Sequence, residues 1–173
     1  CKKINRKFMI KLLKKKNNDI LINNYYYSRF SKKNTKFSVS KKIDILSHYK
    51  WWFNNKRDFY FYKNTNKKFI YFWSEVNFFK KRKYCTCGFH VDNKINIIDI
   101  IKTYKIFLKH LKKKYKFPIV GITEKKNLFI IKINKDLGFK RILDKQSPEY
   151  IFLRKKFMIN KNFSNYIFFS MKD

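Results

Sequence analysis

The most regular spacing of apolar residues lies between positions 97 and 111. Ile97, Ile101, Tyr104, Leu108 and Leu111 recur at near-helical intervals, and lysines at 102, 105, 109 and 112 cover much of the remaining surface. This pattern predicts an amphipathic helix over 97–115. Upstream, Ile43, Leu46, Tyr49, Trp52 and Phe53 keep a similar period behind Ser38 or Ser40, either of which suits a helix cap, and Asn54 and Asn55 close the segment. The run Phe59-Tyr60-Phe61-Tyr62, the turn-formers at 64–66 and the apolar stretch Phe69 to Val76 predict a β-hairpin, with a third strand at Tyr84 to Val91. Phe117 and Pro118 stop the long helix and open a short strand, Ile119 to Ile122. A second helix is expected at about 128–137, ended by Gly138 in the left-handed conformation. Phe139 to Leu143 and Tyr150 to Leu153 are expected to form a last pair of strands, with a weaker strand at Tyr166 to Phe169. Residues 1–39 give no clear period, only a basic start, an apolar patch at Phe8 to Leu13 and the cluster Tyr25-Tyr26-Tyr27. With no internal repeat and no linker, the order predicts a single α+β domain over 1–173, with 1–20 as a basic N-terminal segment and 155–173 as a C-terminal extension.

Composition narrows the class. At 173 residues, 45% hydrophobic and 20% aromatic, the chain can bury a proper core and does not read as a disordered tail. No apolar run approaches the roughly 18–20 residues of a membrane span, and lysines interrupt every apolar patch in residues 1–25, unlike a signal peptide. The first residue is Cys1 rather than Met, which fits a fragment of a longer chain. Cysteines at 1, 85 and 87 are sparse and odd in number, which suits a reduced, cytoplasmic protein. Cys85-Thr86-Cys87 lacks the spacer of a zinc pair and no second cluster completes a tetrahedral site, so no metal is expected.

The formal net charge of +33 invites a polyanionic partner. Yet the chain has no Ala, only 3 Gly and 2 Pro, and an abundance of Lys, Asn, Ile, Phe and Tyr, as an AT-rich genome would impose on any protein. Arginine stands only at 6, 29, 57, 82, 141 and 154. Base-reading and bidentate phosphate contacts favour Arg, so a diffuse lysine excess points to codon bias more than to specific nucleic-acid binding. Whatever its origin, the charge draws anionic ligands towards the protein.

Two motifs carry a family resemblance. Asn127, followed at offsets of ten to twelve by Leu137-Gly138-Phe139, is similar to the last motif of the GNAT superfamily of acyl-CoA-dependent N-acetyltransferases. Residues 44–53, DILSHYKWWF, resemble the His-x-x-Trp helix of GNAT branches that acetylate amino sugars on nucleotide carriers; Asn24 and Arg29 echo the Asn and Arg that often precede it. The order of predicted elements agrees from about residue 20 to 154. The resemblance implies a GNAT-like mixed central β-sheet flanked by helices. It further implies acetyl-CoA or another acyl-CoA as co-substrate and a small-molecule primary amine as acceptor, such as a nucleotide-linked amino sugar.

In the implied reaction the amine attacks the thioester directly. The protein need only bind the CoA, polarise the carbonyl and move protons. The resemblance places the pantetheine between splayed strands 84–91 and 119–122, with a backbone N–H near Phe89 to Val91 on the thioester carbonyl. His90 and Glu75 are the candidate general bases, against the plainer readings of a solvated strand histidine and an exposed strand-end acid. Arg29 and His48 are the candidate acceptor-binding residues. The family's Gly-rich pyrophosphate loop is replaced by Asp92-Asn93-Lys94-Ile95-Asn96-Ile97, without a glycine. There Asn93, Lys94 and Ile95, with the N–H groups opening the next helix, are the expected phosphate contacts, and Asn127 is the expected contact from the last motif. Asn134 stands where the family usually has the Tyr that protonates the leaving thiolate. These two departures keep open a GNAT-fold domain that binds without catalysing, beside the further alternative of a basic nucleic-acid-binding protein.

Overall fold

The computed structural model describes residues 11–13, 18–31, 43–64, 67–92, 95–157 and 162–172. Along the chain run β1 (Lys11–Leu13), α1 (Asp19–Arg29), α2 (Ile45–Asn54), β2 (Asp58–Lys63), β3 (Phe69–Phe79), β4 (Arg82–Val91) and α3 (Ile97–Lys114). Then follow β5 (Ile119–Glu124), α4 (Leu128–Asp136), β6 (Lys140–Arg141), α5 (Pro148–Phe157) and β7 (Tyr166–Met171). The strands form one mixed sheet in the order β1-β2-β3-β4-β5-β7-β6. β4 and β5 are parallel neighbours, as a connection through α3 requires, while β7 inserts antiparallel between β5 and β6. This is the expected α+β architecture. Two compact units are distinguished, Cys1–Trp73 with Phe89–Leu108, and Ser74–Gly88 with Lys109–Asp173.

The first unit is built on aromatics. Leu21, Ile22 and Tyr25 of α1 pack with Trp52 of α2, Phe59 of β2 and Tyr71 of β3. The Trp52 and Phe59 rings stack at 4.0 Å, and Phe72 of β3 lies 4.7 Å from Phe107 of α3. The helix α1 departs from the expectation for residues 1–39. Its buried residues Leu21, Ile22, Tyr25, Tyr26 and Ser28 hold a helical spacing, but the three tyrosines in a row conceal it, since Tyr27 points out. The cap of α2 is also corrected. Asp44, whose side chain accepts from the Ser47 N–H at 2.9 Å, opens that helix, whereas Ser38 and Ser40 lie outside the described residues. Asn55 closes it as expected, its amide donating to the carbonyls of Trp51 and Trp52. Ile97 and Ile101 are exposed, so the buried stripe of α3 is Ile100, Tyr104, Phe107, Leu108 and Leu111. The period is the expected one with a shifted phase.

In the second unit the expected helix at 128–137 and its glycine stop are present. Gly138 has φ +93 and its N–H donates to the Lys135 carbonyl. β3 and β4 are joined by a two-residue turn in which Lys80 and Lys81 both take positive φ, the geometry that matches strand twist but costs a side-chain-bearing residue some strain. Tyr150 to Leu153, expected as a strand, is helical. Pro148 preorganises the first turn of α5, and the Ser147 hydroxyl accepts from the Tyr150 N–H, so the start signals decide a short apolar run that periodicity leaves ambiguous. α5 then buries Phe152 and Leu153 with Tyr84, Val120 and Phe168. The weak strand at Tyr166 is a full partner of β5, pairing all six of its residues from Ile119↔Met171 to Glu124↔Tyr166. Part of the stretch set apart as an extension therefore supplies the sheet.

Candidate active site

In the first unit, ring and cation contacts through Tyr25, Trp51 and Arg57 link side chains of α1, α2, β3 and β4. Arg29, in the last turn of α1, lies with its guanidinium carbon 4.6 Å from the Trp51 ring centroid. Arg57, just before β2, reaches the same ring at 5.4 Å and lies 4.0 Å over Trp73 of β3. Tyr25 stacks on Trp51 and on His48, and meets His90 of β4 edge-on at 5.4 Å. Arg29, Trp51, Arg57, Trp73 and His90 are all half-buried, whereas Tyr25 and His48 are buried.

Electrostatics follow from this packing. Burial first, then Arg29 and Arg57, push the His90 imidazole down to about 3. Burial and Arg29 take His48 to about 4, against a smaller raising influence from the Ile22 carbonyl. Both rings are therefore neutral at pH 7. Burial also lowers Arg29 itself and Arg57 lowers it further, while Tyr25 acts the other way. Sequence reasoning singled out Arg29, His48 and His90, and the structure brings these three together. It missed Tyr25, Trp51, Arg57 and Trp73 as their surroundings. The available signal was arginine itself, two of only six in a chain that otherwise uses lysine.

Glu75 sits in the second unit among different company. Its carboxylate takes a 2.5 Å hydrogen bond from the Lys156 ammonium of α5, which also donates to the Asn77 side chain at 2.5 Å. Asn77 donates in turn to the Thr86 hydroxyl at 3.1 Å. Both Lys156 and Glu75 are mostly shielded, at 22% and 19% side-chain exposure, so this ion pair is better insulated than a surface one. Glu75 is neither the exposed strand-end acid of the plainer reading nor an uncommitted base.

The β4–β5 ladder pairs Cys85↔Ile119 and Thr86↔Val120. β4 then runs on through Cys87 and Gly88, and β5 through Gly121 and Ile122, beyond those pairs. The Cys85 N–H donates to the Pro118 carbonyl and the Asp92 N–H to Phe69, so alternate residues of β4 face opposite edges. By that repeat the N–H groups of Phe89 and Val91 leave the strand on the same edge as that of Cys85. The side chains of these two residues do other work. Phe89 packs on Tyr104 and Phe72, and Val91 is buried.

Asn93 and Lys94 lie outside the described residues, and Ile95 is buried. The Ile98 N–H is taken by the Asn96 side chain at 2.9 Å, and Asp99 puts an acid in the first turn, where a bound anion would meet it. Asn127 has a structural task, accepting from the Ile130 N–H as the cap of α4. Asn134 is buried, with its amide donating to the Thr123 hydroxyl of β5 at 3.4 Å. Beside these, an open pocket of about 330 Å³ in the first unit is lined by Asn24, Tyr27, Ser28, Lys67, Lys68 and Asp92 among others. Burial raises the Asp92 carboxyl there, against the hydrogen bond it accepts from the Phe69 N–H. Among the described residues no group of three or more His, Cys, Asp or Glu is placed to hold a metal ion.

Comparison with solved structures gives the class of fold. AAC(6')-Ib in complex with parmomycin and acetyl-CoA superposes with a TM-score of 0.68 at 9% identity, covering 95% of this chain and 92% of that one. A chimera of the spermidine N-acetyltransferase SpeG from Vibrio cholerae and hSSAT gives 0.63 at 10% identity, covering 95% and 96%. The GNAT domain of PAT from S. lividans gives 0.63 at 6%, covering 94% and 88%. The chain thus has the GNAT fold. No protein-family model matches it, and no curated protein matches its sequence.

Proposed function

We propose that the protein is a CoA-dependent N-acyltransferase that moves an acetyl or similar acyl group to a primary amine, with amino sugars as the acceptor class. The observation that carries the reading is β4 and β5 as parallel neighbours on either side of α3 with a ladder paired at only Cys85↔Ile119 and Thr86↔Val120, in a chain of GNAT fold. Such an edge offers backbone N–H groups, that of Phe89 among them, to an extended pantetheine and to the thioester carbonyl. The amine nitrogen forms the new N–C bond, the C–S bond breaks, a base takes the ammonium proton and the CoA thiolate leaves with a proton from solvent or a side chain. His90, neutral at pH 7, and Glu75 are the candidate bases. His90, lowered by burial first and then by Arg29 and Arg57, is a weak acceptor of protons, and Glu75 must work beside Lys156.

Calorimetry with acetyl-CoA and a thiol-release assay with glucosamine-type amines test this reading. Binding together with thiol release supports it, and loss of the true base through His90→Ala or Glu75→Gln lowers turnover by about 10²- to 10⁴-fold with CoA binding retained. Lys94→Glu, which reverses a charge in the segment replacing the pyrophosphate loop, is expected to weaken CoA binding. A binding domain without catalysis is the second reading, favoured by Asn134 bonded to Thr123 and by Asp99 at the start of α3. CoA binding with no thiol release from any amine, and none restored by Asn134→Tyr, decides for that alternative.

A further inference from the structure

We propose that the open pocket between the C-terminal half of α1 and the start of β3 binds a neutral sugar ring, with Asp92 accepting from its hydroxyls and Tyr27 lying against its apolar face. The proposal stands apart from the acyl-transfer reading and concerns the first unit alone. The pocket measures about 330 Å³, near the lower end of ligand cavities, which run from about 300 to 1,000 Å³. That suits a single ring. Three segments fix its polar centre. The Phe69 N–H donates to the Asp92 carboxylate at 2.8 Å, and the Asp92 N–H donates to the Phe69 carbonyl at 3.0 Å. The Ser28 hydroxyl of α1 donates to the same carboxylate. The turn before β3 is pinned at Asn64, whose carbonyl accepts from the Lys67 N–H at 3.1 Å and whose side chain accepts from the Lys68 N–H at 2.9 Å. The acid is thus oriented before a ligand arrives, which lowers the cost of ordering on binding.

The signs of the lining groups select the ligand. Asp92 repels an anion, while the exposed Lys67 and Lys68 on the same opening repel a cation. Burial raises the Asp92 carboxyl, and the Phe69 N–H, then Lys68 and Ser28 lower it, so the lysine charge is felt at the acid. A hydroxylated ring meets neither repulsion. Its hydroxyls donate to Asp92, whose two oxygens offer about four acceptor sites and so accommodate donors beyond Phe69 and Ser28. Its oxygens accept from the lysines and from the Asn24 amide, which lines the pocket beside them. Tyr27, 68% exposed on α1, contributes little to the core and offers the flat apolar surface that the C–H face of a sugar ring can cover.

The probe is methyl α-D-glucopyranoside, titrated into the isotope-labelled full chain at physiological salt while the Phe69 amide is followed by NMR. A saturable shift is expected with a Kd of about 1–10 mM. Glycine, inorganic phosphate and ethylamine, as zwitterion, anion and cation, should each bind at that amide at least about tenfold more weakly. Asp92→Asn keeps an acceptor for the Phe69 N–H and removes the charge; it should weaken sugar binding by about 10- to 100-fold, with native circular dichroism retained. Because that variant also touches the pocket's own bonding, the exposed Tyr27 supplies an independent check. Tyr27→Ala should weaken binding by about 3- to 10-fold and Tyr27→Phe by no more than about twofold, since the ring and not the hydroxyl is used. Lys135→Gln on α4 should leave binding within about twofold of the wild type. No saturable shift with the glucoside, equal or tighter binding of any charged probe, or sugar binding unchanged in Tyr27→Ala or in Asp92→Asn overturns the proposal.

Discussion

The two ionic clusters differ in the company their charges keep. Around Glu75 an acid meets a lysine, and Asn77 and Thr86 take up further hydrogen-bonding capacity, so the group is satisfied within its own unit. Around His90 two arginines lie against aromatic rings, and burial first, then these two cations, keep the neighbouring imidazole neutral. A satisfied ion pair holds structure together, with a net value set by desolvation against attraction. The contrast teaches where to look for recognition in a chain of charge +33, in which counting basic residues is uninformative.

The largest expected effect is loss of the aromatic wall. Trp52 is fully buried and stacked on Phe59. Trp52→Ala should cost about 3–5 kcal/mol in urea unfolding, through lost transfer energy and the cavity left behind. A loss below about 1 kcal/mol would mean that this wall is not packed as a core.

Acid should come next. His48 and His90 are held at about 4 and about 3 in the folded chain, below the ordinary histidine value of 6.5. The unfolded chain therefore binds protons first as pH falls. Stability from these groups is complete above about pH 6.5 and is lost on descending towards pH 4 and 3, with His48 alone contributing on the order of 3 kcal/mol. His48→Phe should flatten the stability profile between pH 6.5 and 5, where carboxylates still titrate little. An unchanged slope there rejects the buried neutral imidazole. NMR sharpens the point, since the chain has only three histidines: Arg29→Gln should raise the titration midpoints of both His48 and His90.

On the paired side, Lys156→Met should destabilise by about 1–3 kcal/mol, because it leaves the shielded Glu75 carboxylate without its cation. Adding Glu75→Gln should recover part of that loss. A double variant no better than the single one would show that the pair is not coupled. The smallest effects test neither cluster and serve as controls. A Cβ at Gly138 meets nothing within 4 Å, so Gly138→Ala should cost only backbone strain, about 1–2 kcal/mol. Asn127→Ala, losing the cap of α4, should cost about 1 kcal/mol in urea unfolding.

Much of the frame was legible because local chemistry and tertiary packing agree. The period of α3, the β-forming runs of β2 and β3 and the glycine after α4 each act through residues a few positions apart, and each of these elements formed where expected. Elements went astray where local signals conflict. Tyr150 to Leu153 is a short apolar run that either period accommodates, and Tyr25-Tyr26-Tyr27 masks the face of α1 behind a β-like string of aromatics. Of the candidate site, Arg29 and His48 were singled out by the resemblance of a motif and His90 by its place on the strand expected at the cleft; the structure places all three near Tyr25.

What the sequence determined by itself is the alternation of helices and strands, the capping of α4, the termination of α2 at Asn55 and the scarcity of arginine. All are properties of residue type and near neighbours. Only the tertiary structure decided that Arg29 and Arg57 share the Trp51 ring, that His90 loses its proton among them, and that Glu75 spends its charge on Lys156, 81 positions away in the chain. The reason is that electrostatic energy depends on separation and burial in space. Neither quantity exists until strands and helices remote in sequence have packed together.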